Sequence, residues 1–235
     1  MTGPIHGSDD RFEGFRLLEV LGRGGSGTVF RAIEETLGRE VALKVLDGHA
    51  LDPSLAREKF ERGARVGAAV DDPGIVGVLR SGQWNGTPFV AMELVRGPTV
   101  TRLLSERRLA PVEGLRLAAA IARALHALHA AGFVHGDVKP SNVLLDEDRG
   151  GRPRLVDFGL ARAIGTPGSG GAEGTPAYMA PEQARGDVAE ATTDVFGVGA
   201  VLYHALTGRA PFDGRAARAP VRTLAPEVAP DAAAI

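Results

Sequence analysis

Residues 15–46 read FRLLEVLGRGGSGTVFRAIEETLGREVALKVL. Three short runs within it, FRLLEVLG (15–22), TVFRAIE (28–34) and EVALKVL (40–46), are rich in Val, Leu and Phe and are separated by glycine-containing turns, the pattern of an antiparallel meander. Downstream, Asp52-Pro53-Ser54 supplies a capping residue and a helix-start proline ahead of LAREKFERGARVGAAV (55–70), a helix with two opposing glycines inside it. IVGVLRSGQ (75–83) and PFVAMEL (88–94) read as two more strands around an Asn85-Gly86 turn, with Trp84 covering the hairpin. From Val95-Arg96-Gly97-Pro98 onward the pattern changes. Val112 to Ala131 carries Leu117, Ile121, Leu125 and Leu128 at helical spacing, and Asp194 to Thr207 reads as a second, almost wholly buried helix stopped by Gly208. Strands first and helices afterwards imply an α+β protein of two lobes, with a tail over 1–11, a smaller lobe over 12–95 and a larger one over 96–235.

Composition removes several classes of function. With 27 Lys plus Arg against 29 Asp plus Glu and no long basic run, neither a nucleic-acid-coating surface nor a polybasic membrane anchor is indicated. The absence of cysteine excludes a disulfide framework and a thiolate zinc site. No apolar stretch approaches the roughly 20 residues that span a bilayer, and the start, MTGPIHGSDD, lacks a signal pattern, so the expectation is a soluble cytoplasmic segment. His126, His129 and His204 fall on the two long helices and read as packing or surface residues, since no partners for a metal site accompany them.

Two constellations carry chemistry. Gly22, Gly24 and Gly27 lie between two strands, where backbone amides can approach a polyphosphate; with 32 glycines in the chain, a plain flexible hairpin is an open alternative. Val29 beyond the last glycine and Lys44 on the next strand favour the phosphate reading, and the strand TVFRAIE argues against a dinucleotide fold, which needs a helix there. The second constellation is His135-Gly136-Asp137-Val138-Lys139-Pro140-Ser141-Asn142, followed beyond Val143-Leu144-Leu145 by Asp157-Phe158-Gly159. One carboxylate can accept a hydroxyl proton, while Asn142 and Asp157 offer the hard oxygens that magnesium prefers. Alignment, metal and charge neutralisation are what phosphoryl transfer requires.

In order along the chain, the Gly-rich loop, VALK, HGDVKPSN, DFG, GTPAYMAPE and DVFGVGAVLYHALTGRAPF resemble the eukaryotic-type serine/threonine protein kinases of bacteria, over about Phe12 to Phe212. The resemblance implies a bilobal kinase-like fold and the use of ATP with Mg²⁺, or Mn²⁺ as an alternative. Carried over by position, Lys44 binds the α- and β-phosphates, Asp137 is the catalytic base, Lys139 steadies the γ-phosphate, and Asn142 and Asp157 hold the metal. Adenine would lie between Leu21, Val29 and Ala42 above and Leu144 below, with Met92 behind it and the backbone from Glu93 to Val95 as hydrogen-bonding hinge. Lys139 and Thr175 are the pattern of Ser/Thr rather than Tyr kinases, so the implied partners are protein substrates. The segment from Asp157 to Glu182 corresponds to the activation segment, with Thr166, Ser169 and Thr175 as candidate autophosphorylation sites.

The chain also departs from the pattern. Gly136 stands where the family has an arginine that gathers the activation-segment phosphate, so replacing Thr166, Ser169 and Thr175 with Ala is expected to leave the rate unchanged. Gapless counting back from Pro73 puts the helix glutamate that pairs with Lys44 on Gly63, with Glu58 and Glu61 as substitutes only in a shifted register, and puts an apolar position on Gly67. Gly197 replaces a common Ser. The chain ends at Ile235, so the last helices of the family's larger lobe are expected to be absent, leaving Glu182 without an arginine partner. The alternatives to an active kinase are an ATP-binding pseudokinase, motivated by Gly63, and a small-molecule phosphotransferase, disfavoured by GTPAYMAPE.

Overall fold

Alternation along EVALKVL sorts its side chains: Val41, Leu43 and Val45 are buried on one face, while Ala42 and Lys44 point to the other. The computed structural model, which describes residues 11–24, 27–46, 53–167, 174–188, 190–212 and 219–229, builds this strand into a six-stranded antiparallel sheet. Its strands are β1 (Arg11–Phe12), β2 (Phe15–Gly24), β3 (Gly27–Glu34), β4 (Arg39–Val45), β5 (Val78–Trp84) and β6 (Thr87–Glu93), in the order β1-β2-β3-β4-β6-β5. The β2–β4 meander is as expected. The Asn85-Gly86 turn has positive φ at both residues, +50° and +79°, which matches the right-handed twist of the hairpin it closes. Phe12, Phe15 and Phe89 form the core on the outer face with the β4 valines, and Trp84 packs on Phe12 at 4.7 Å between ring centroids.

The helix α1 (Pro53–Ala69) lies on the opposite, inner face, where Phe60 and Ala64 meet Val90. Its expected capping residue, Asp52, is outside the described residues. The strand expected over 75–83 begins only at Val78. Gly74, Ile75 and Val76 are claimed instead by the helical half: Leu155 N–H donates to the Gly74 carbonyl at 2.7 Å and Val76 N–H to the Leu155 carbonyl at 3.0 Å.

The larger half contains α2 (Val100–Glu106), α3 (Pro111–Ala130), β7 (Phe133–Val134), β8 (Val143–Asp146), β9 (Arg152–Leu155), β10 (Arg162–Ala163), α4 (Pro181–Arg185), α5 (Ala191–Thr207) and α6 (Val221–Leu224). The helix α3 buries Leu117, Ile121, Leu125 and Leu128 as its spacing predicts. Its start is fixed by Glu113, which accepts the Ala110 N–H at 2.9 Å; the Arg107 guanidinium first, and that N–H second, hold the Glu113 carboxyl down to about 2. Helix α5 begins three residues before Asp194 and ends at Gly208 in the left-handed conformation. At the hinge Arg96 pairs with Glu40 of β4 on one side and with Asp148 of the helical half on the other, at 3.0 Å for Asp148.

Asp194, 1% exposed inside α5, fixes the loop that follows β7. Its Oδ2 accepts from His135 N–H at 2.8 Å and its Oδ1 from Gly136 N–H at 2.9 Å, and His129 Nε2 of α3 lies 2.8 Å from Oδ2. Removing this carboxylate would strand two buried N–H groups. Asp194→Ala is expected to cost about 3 kcal/mol, measured by denaturant unfolding, because charged hydrogen bonds to buried donors are lost; a cost under about 1 kcal/mol, the level of one ordinary hydrogen bond, would contradict this reading.

Candidate active site

Two residues with positive φ, Gly136 and Asp157, shape the main chain of the site. Gly136 has φ +75°, a region that glycine enters freely and that costs other residues about 1–2 kcal/mol. Glycine in the place of the expected arginine therefore relieves this loop. Beyond it the Asp137 N–H donates to His135 Nδ1 at 3.2 Å, which turns the Asp137 side chain away from the core. Gln183 of α4, which the sequence reading did not single out, donates from Nε2 to the Gly136 carbonyl at 2.7 Å.

Three predicted residues converge around Asp137. Lys139 Nζ lies 2.6 Å from Asp137 Oδ2 and donates to Thr175 Oγ1 at 2.7 Å; Thr175 Oγ1 donates to Asp137 Oδ1 at 3.1 Å. Asn142 Nδ2 donates to the Asp137 carbonyl at 2.9 Å and to its Oδ2 at 3.2 Å. Thr175 is thus tied into the site, whereas Thr166 is exposed and Ser169 is outside the described residues. The Thr175 hydroxyl bridges the Lys139 ammonium and the Asp137 carboxylate.

The second group lies across the cleft. Lys44 Nζ meets Asp157 Oδ1 at 2.8 Å, joining β4 of the sheet to the turn after β9. Surrounding protein pushes the Asp157 carboxyl up, but the Lys44 charge and hydrogen bond, with lesser help from His135 and the Gly159 N–H, bring it below the ordinary Asp range. Asp157 has φ +64°, a left-handed conformation for a non-glycine residue, of the kind retained where surroundings over-determine it. The Val156 N–H donates to the Asn142 carbonyl at 3.0 Å, so the backbone before Asp157 is bonded directly to Asn142. Asn142 and Asp157 thus lie on adjoining segments, and each carries a hard oxygen of the kind magnesium prefers.

Strand register places the remaining residues. Val29 pairs with Lys44, and Ala42 with Met92, so Val29, Ala42, Lys44 and Met92 share the inner face of the sheet. Gly22 pairs with Val29, and a Cβ on Gly22 or Gly24 would meet nothing within 4 Å, whereas one on Gly27 would stand 2.2 Å from the Val45 carbonyl oxygen, so Gly27 lies close against β4. Leu21 there is 48% exposed. Leu144 of β8 bridges to Thr99 on the helical side of the hinge. Glu93 is engaged with buried Arg154; burial pushes its carboxyl up, and the hydrogen bond and charge of Arg154 outweigh this and lower it. Val95 follows β6 at the hinge.

Other expectations resolve in the same way. Neither Glu58 nor Glu61 meets Lys44: Glu58 pairs with Arg62 at 3.3 Å and Glu61 with Arg57 at 2.9 Å. Glu182 accepts a hydrogen bond from Thr193 Oγ1 at 3.0 Å. Gly197 lets α5 approach the site loop, for a Cβ there would be 2.7 Å from Val138 Cβ. Of the three histidines, His126 is exposed, His129 supports Asp194, and His204 Nδ1 lies 2.7 Å from the Tyr178 hydroxyl. No group of three or more His, Asp or Glu among the described residues is placed to hold a metal ion.

Residues 15–227 match the model of the protein kinase domain. The chain is 46% identical over 208 residues to the DNA damage-responsive serine/threonine-protein kinase RqkA of Deinococcus radiodurans, covering 85% of this chain and 30% of that protein. It is 40% identical over 211 residues to a probable serine/threonine-protein kinase of Streptomyces coelicolor, covering 85% and 31%. To the serine/threonine-protein kinase PknB of Mycobacterium tuberculosis it is 39% identical over 225 residues, covering 91% and 35%. The chain spans about a third of the length of these curated relatives. With a match over most of its length, and with the sheet, hinge and helical half of the bilobal fold in place, the chain belongs to the protein kinase domain family.

Proposed function

We propose that this domain transfers the γ-phosphate of ATP to Ser or Thr hydroxyls of protein substrates. The observation that carries the reading is the junction of Asp137, Lys139 and Thr175 through hydrogen bonds of 2.6–3.1 Å, directly bonded to Asn142 and facing a Lys44–Asp157 pair. The substrate hydroxyl oxygen attacks the γ-phosphorus as its proton passes to the Asp137 carboxylate, and the bond from that phosphorus to the bridging oxygen breaks to leave ADP. Lys139, beside Asp137, offsets charge developing on the transferred group, and Lys44 holds the α- and β-phosphates with Asp157 anchoring its ammonium. Leu21, Val29, Ala42, Met92 and Leu144 form the adenine slot, with Glu93 to Val95 as its hinge edge and Gly22, Gly24 and Gly27 over the phosphates. Magnesium, with manganese as the alternative, would be held by Asn142 and Asp157 and would supply charge neutralisation between the phosphates.

Because Lys44 already has a carboxylate partner in Asp157, Gly63 does not leave its ammonium without one, which favours an active enzyme over a pseudokinase. Gly136 offers no guanidinium to an activation-segment phosphate, which supports activity independent of one. No helix among the described residues is long and apolar enough to cross a membrane; a cytoplasmic setting for this segment is in keeping with the absence of cysteine, and the balanced charge without a long basic run gives no support to nucleic acid as partner.

Transfer from labelled ATP to a generic basic protein tests the reading. Asp137→Asn is expected to lower the rate by about 10³-fold, the scale of a lost general base; undiminished transfer would refute the assignment. Thr166→Ala with Ser169→Ala is expected to leave the rate within about twofold, whereas Thr175→Ala lowers it by roughly 10–100-fold through misplacement of Lys139 and Asp137. Equal behaviour of the two variants would remove Thr175 from the site.

A further inference from the structure

The helix α1 meets the Asp157-Phe158-Gly159 turn without a carboxylate. A Cβ on Gly63 would stand 3.0 Å from both Gly159 N and Phe158 C, and one on Gly67 would stand 2.9 Å from Val78 Cγ2 and 3.3 Å from Phe158 Cδ2. Residues four apart share a helix face, so the bare backbone of α1 forms the seat for Phe158, which is 6% exposed. The neighbouring Arg62 reaches from this seat to the turn itself. Its Nη2 donates to the Gly159 carbonyl at 3.4 Å and its Nη1 to Glu58 at 3.3 Å, while its Nε is buried. Phe60, one turn earlier, places its ring 5.9 Å from the Lys44 ammonium.

We propose that Arg62 is a positioning residue that holds the 157–159 turn, and with it Asp157, against Lys44, replacing a helix carboxylate directed at Lys44. The inference rests on the roles given to Lys44 and Asp157 in the proposed function. The glycine at 63 is then a fitted element. A glutamate there would start from a Cβ 3.0 Å from the Phe158–Gly159 peptide, a tight contact with backbone rather than with the free end of a flexible side chain. The Gly159 carbonyl accepts from Arg62, the residue before Gly63, whose planar fork serves Gly159 and Glu58 together.

The test compares the whole chain with Arg62→Ala, Arg62→Lys and Gly63→Glu by amide hydrogen exchange over 157–161 without nucleotide, by the Mg²⁺ concentration for half-maximal phosphate transfer, and by melting temperature. Arg62→Ala is expected to raise exchange in that segment, and the Mg²⁺ requirement, by about fivefold, the scale of one lost hydrogen bond. Exchange in the outer-face sheet core and the melting temperature should change little, and Arg62→Lys should recover part of the loss. Gly63→Glu is expected to raise exchange over 157–161 without raising transfer. Unchanged exchange and Mg²⁺ requirement in Arg62→Ala, or faster transfer in Gly63→Glu, would overturn the proposal. Exchange is read without nucleotide, so it decides the positioning role separately from whether the parent chain transfers phosphate.

Discussion

A carboxylate withdrawn from water costs several kcal/mol unless its lone pairs are used, and Asp194 uses both of its oxygens. The two N–H groups it accepts belong to His135 and Gly136, so the residues before Asp137 have no freedom to rotate. His135 in turn receives the Asp137 N–H, Asn142 donates to the Asp137 carbonyl, and Val156 donates to Asn142. One buried acid on the first turns of α5 therefore orders a chain of hydrogen bonds that reaches the turn carrying Asp157. Gln183 fastens the other side of the same loop to α4, which places Thr175 within reach of Lys139.

Among the described residues the sheet meets this framework where Lys44 reaches Asp157, Glu93 meets buried Arg154, Arg96 links Glu40 with Asp148, and Gly63 and Gly67 let α1 rest on Phe158. The contacts differ in kind. The Arg96 pairs are exposed and salt-screened and contribute little to stability. The contact of α1 with Phe158 is close-packed, where a single added methyl group must displace its neighbours. Relative placement of the halves thus depends more on the α1 seat and the Lys44–Asp157 pair than on surface charge.

Much of this was legible beforehand because its signals are local. The runs FRLLEVLG, TVFRAIE and EVALKVL gave the meander, Asn85-Gly86 gave the hairpin, and the spacing of Leu117, Ile121, Leu125 and Leu128 gave α3. The order of short motifs placed Lys44 with the Gly-rich loop and Asp137, Lys139, Asn142 and Asp157 in a second constellation; the structure bonds Asp137 to Lys139 and Asn142 but pairs the Asp157 carboxylate with Lys44. What escaped was long-range pairing. Asp194 read as the start of an apolar helix, although an acid just inside such a run was itself a clue to a buried partner. Gln183 was not singled out, and Thr175 read as a substrate-class marker and candidate modification site rather than as a partner of Lys139, because nothing near them in sequence names Gly136 or Lys139. Ile75 and Val76 followed the strand pattern but were drawn to Leu155. Gly63 and Gly67 read as defects in a helix, and only the position of Phe158 makes them a seat.

The central claim is that the site separates into a metal- and phosphate-holding group and a proton-accepting group. Calorimetric titration of ATP, with and without Mg²⁺, into the parent chain, Asp137→Asn and Asp157→Asn tests this most directly. The account predicts that Asp137→Asn binds Mg-ATP within about twofold of the parent, because a group acting only in the transition state contributes little to ground-state binding, while Asp157→Asn loses the Mg²⁺-dependent part of the affinity. Loss of Mg-ATP binding in Asp137→Asn together with its retention in Asp157→Asn would contradict it.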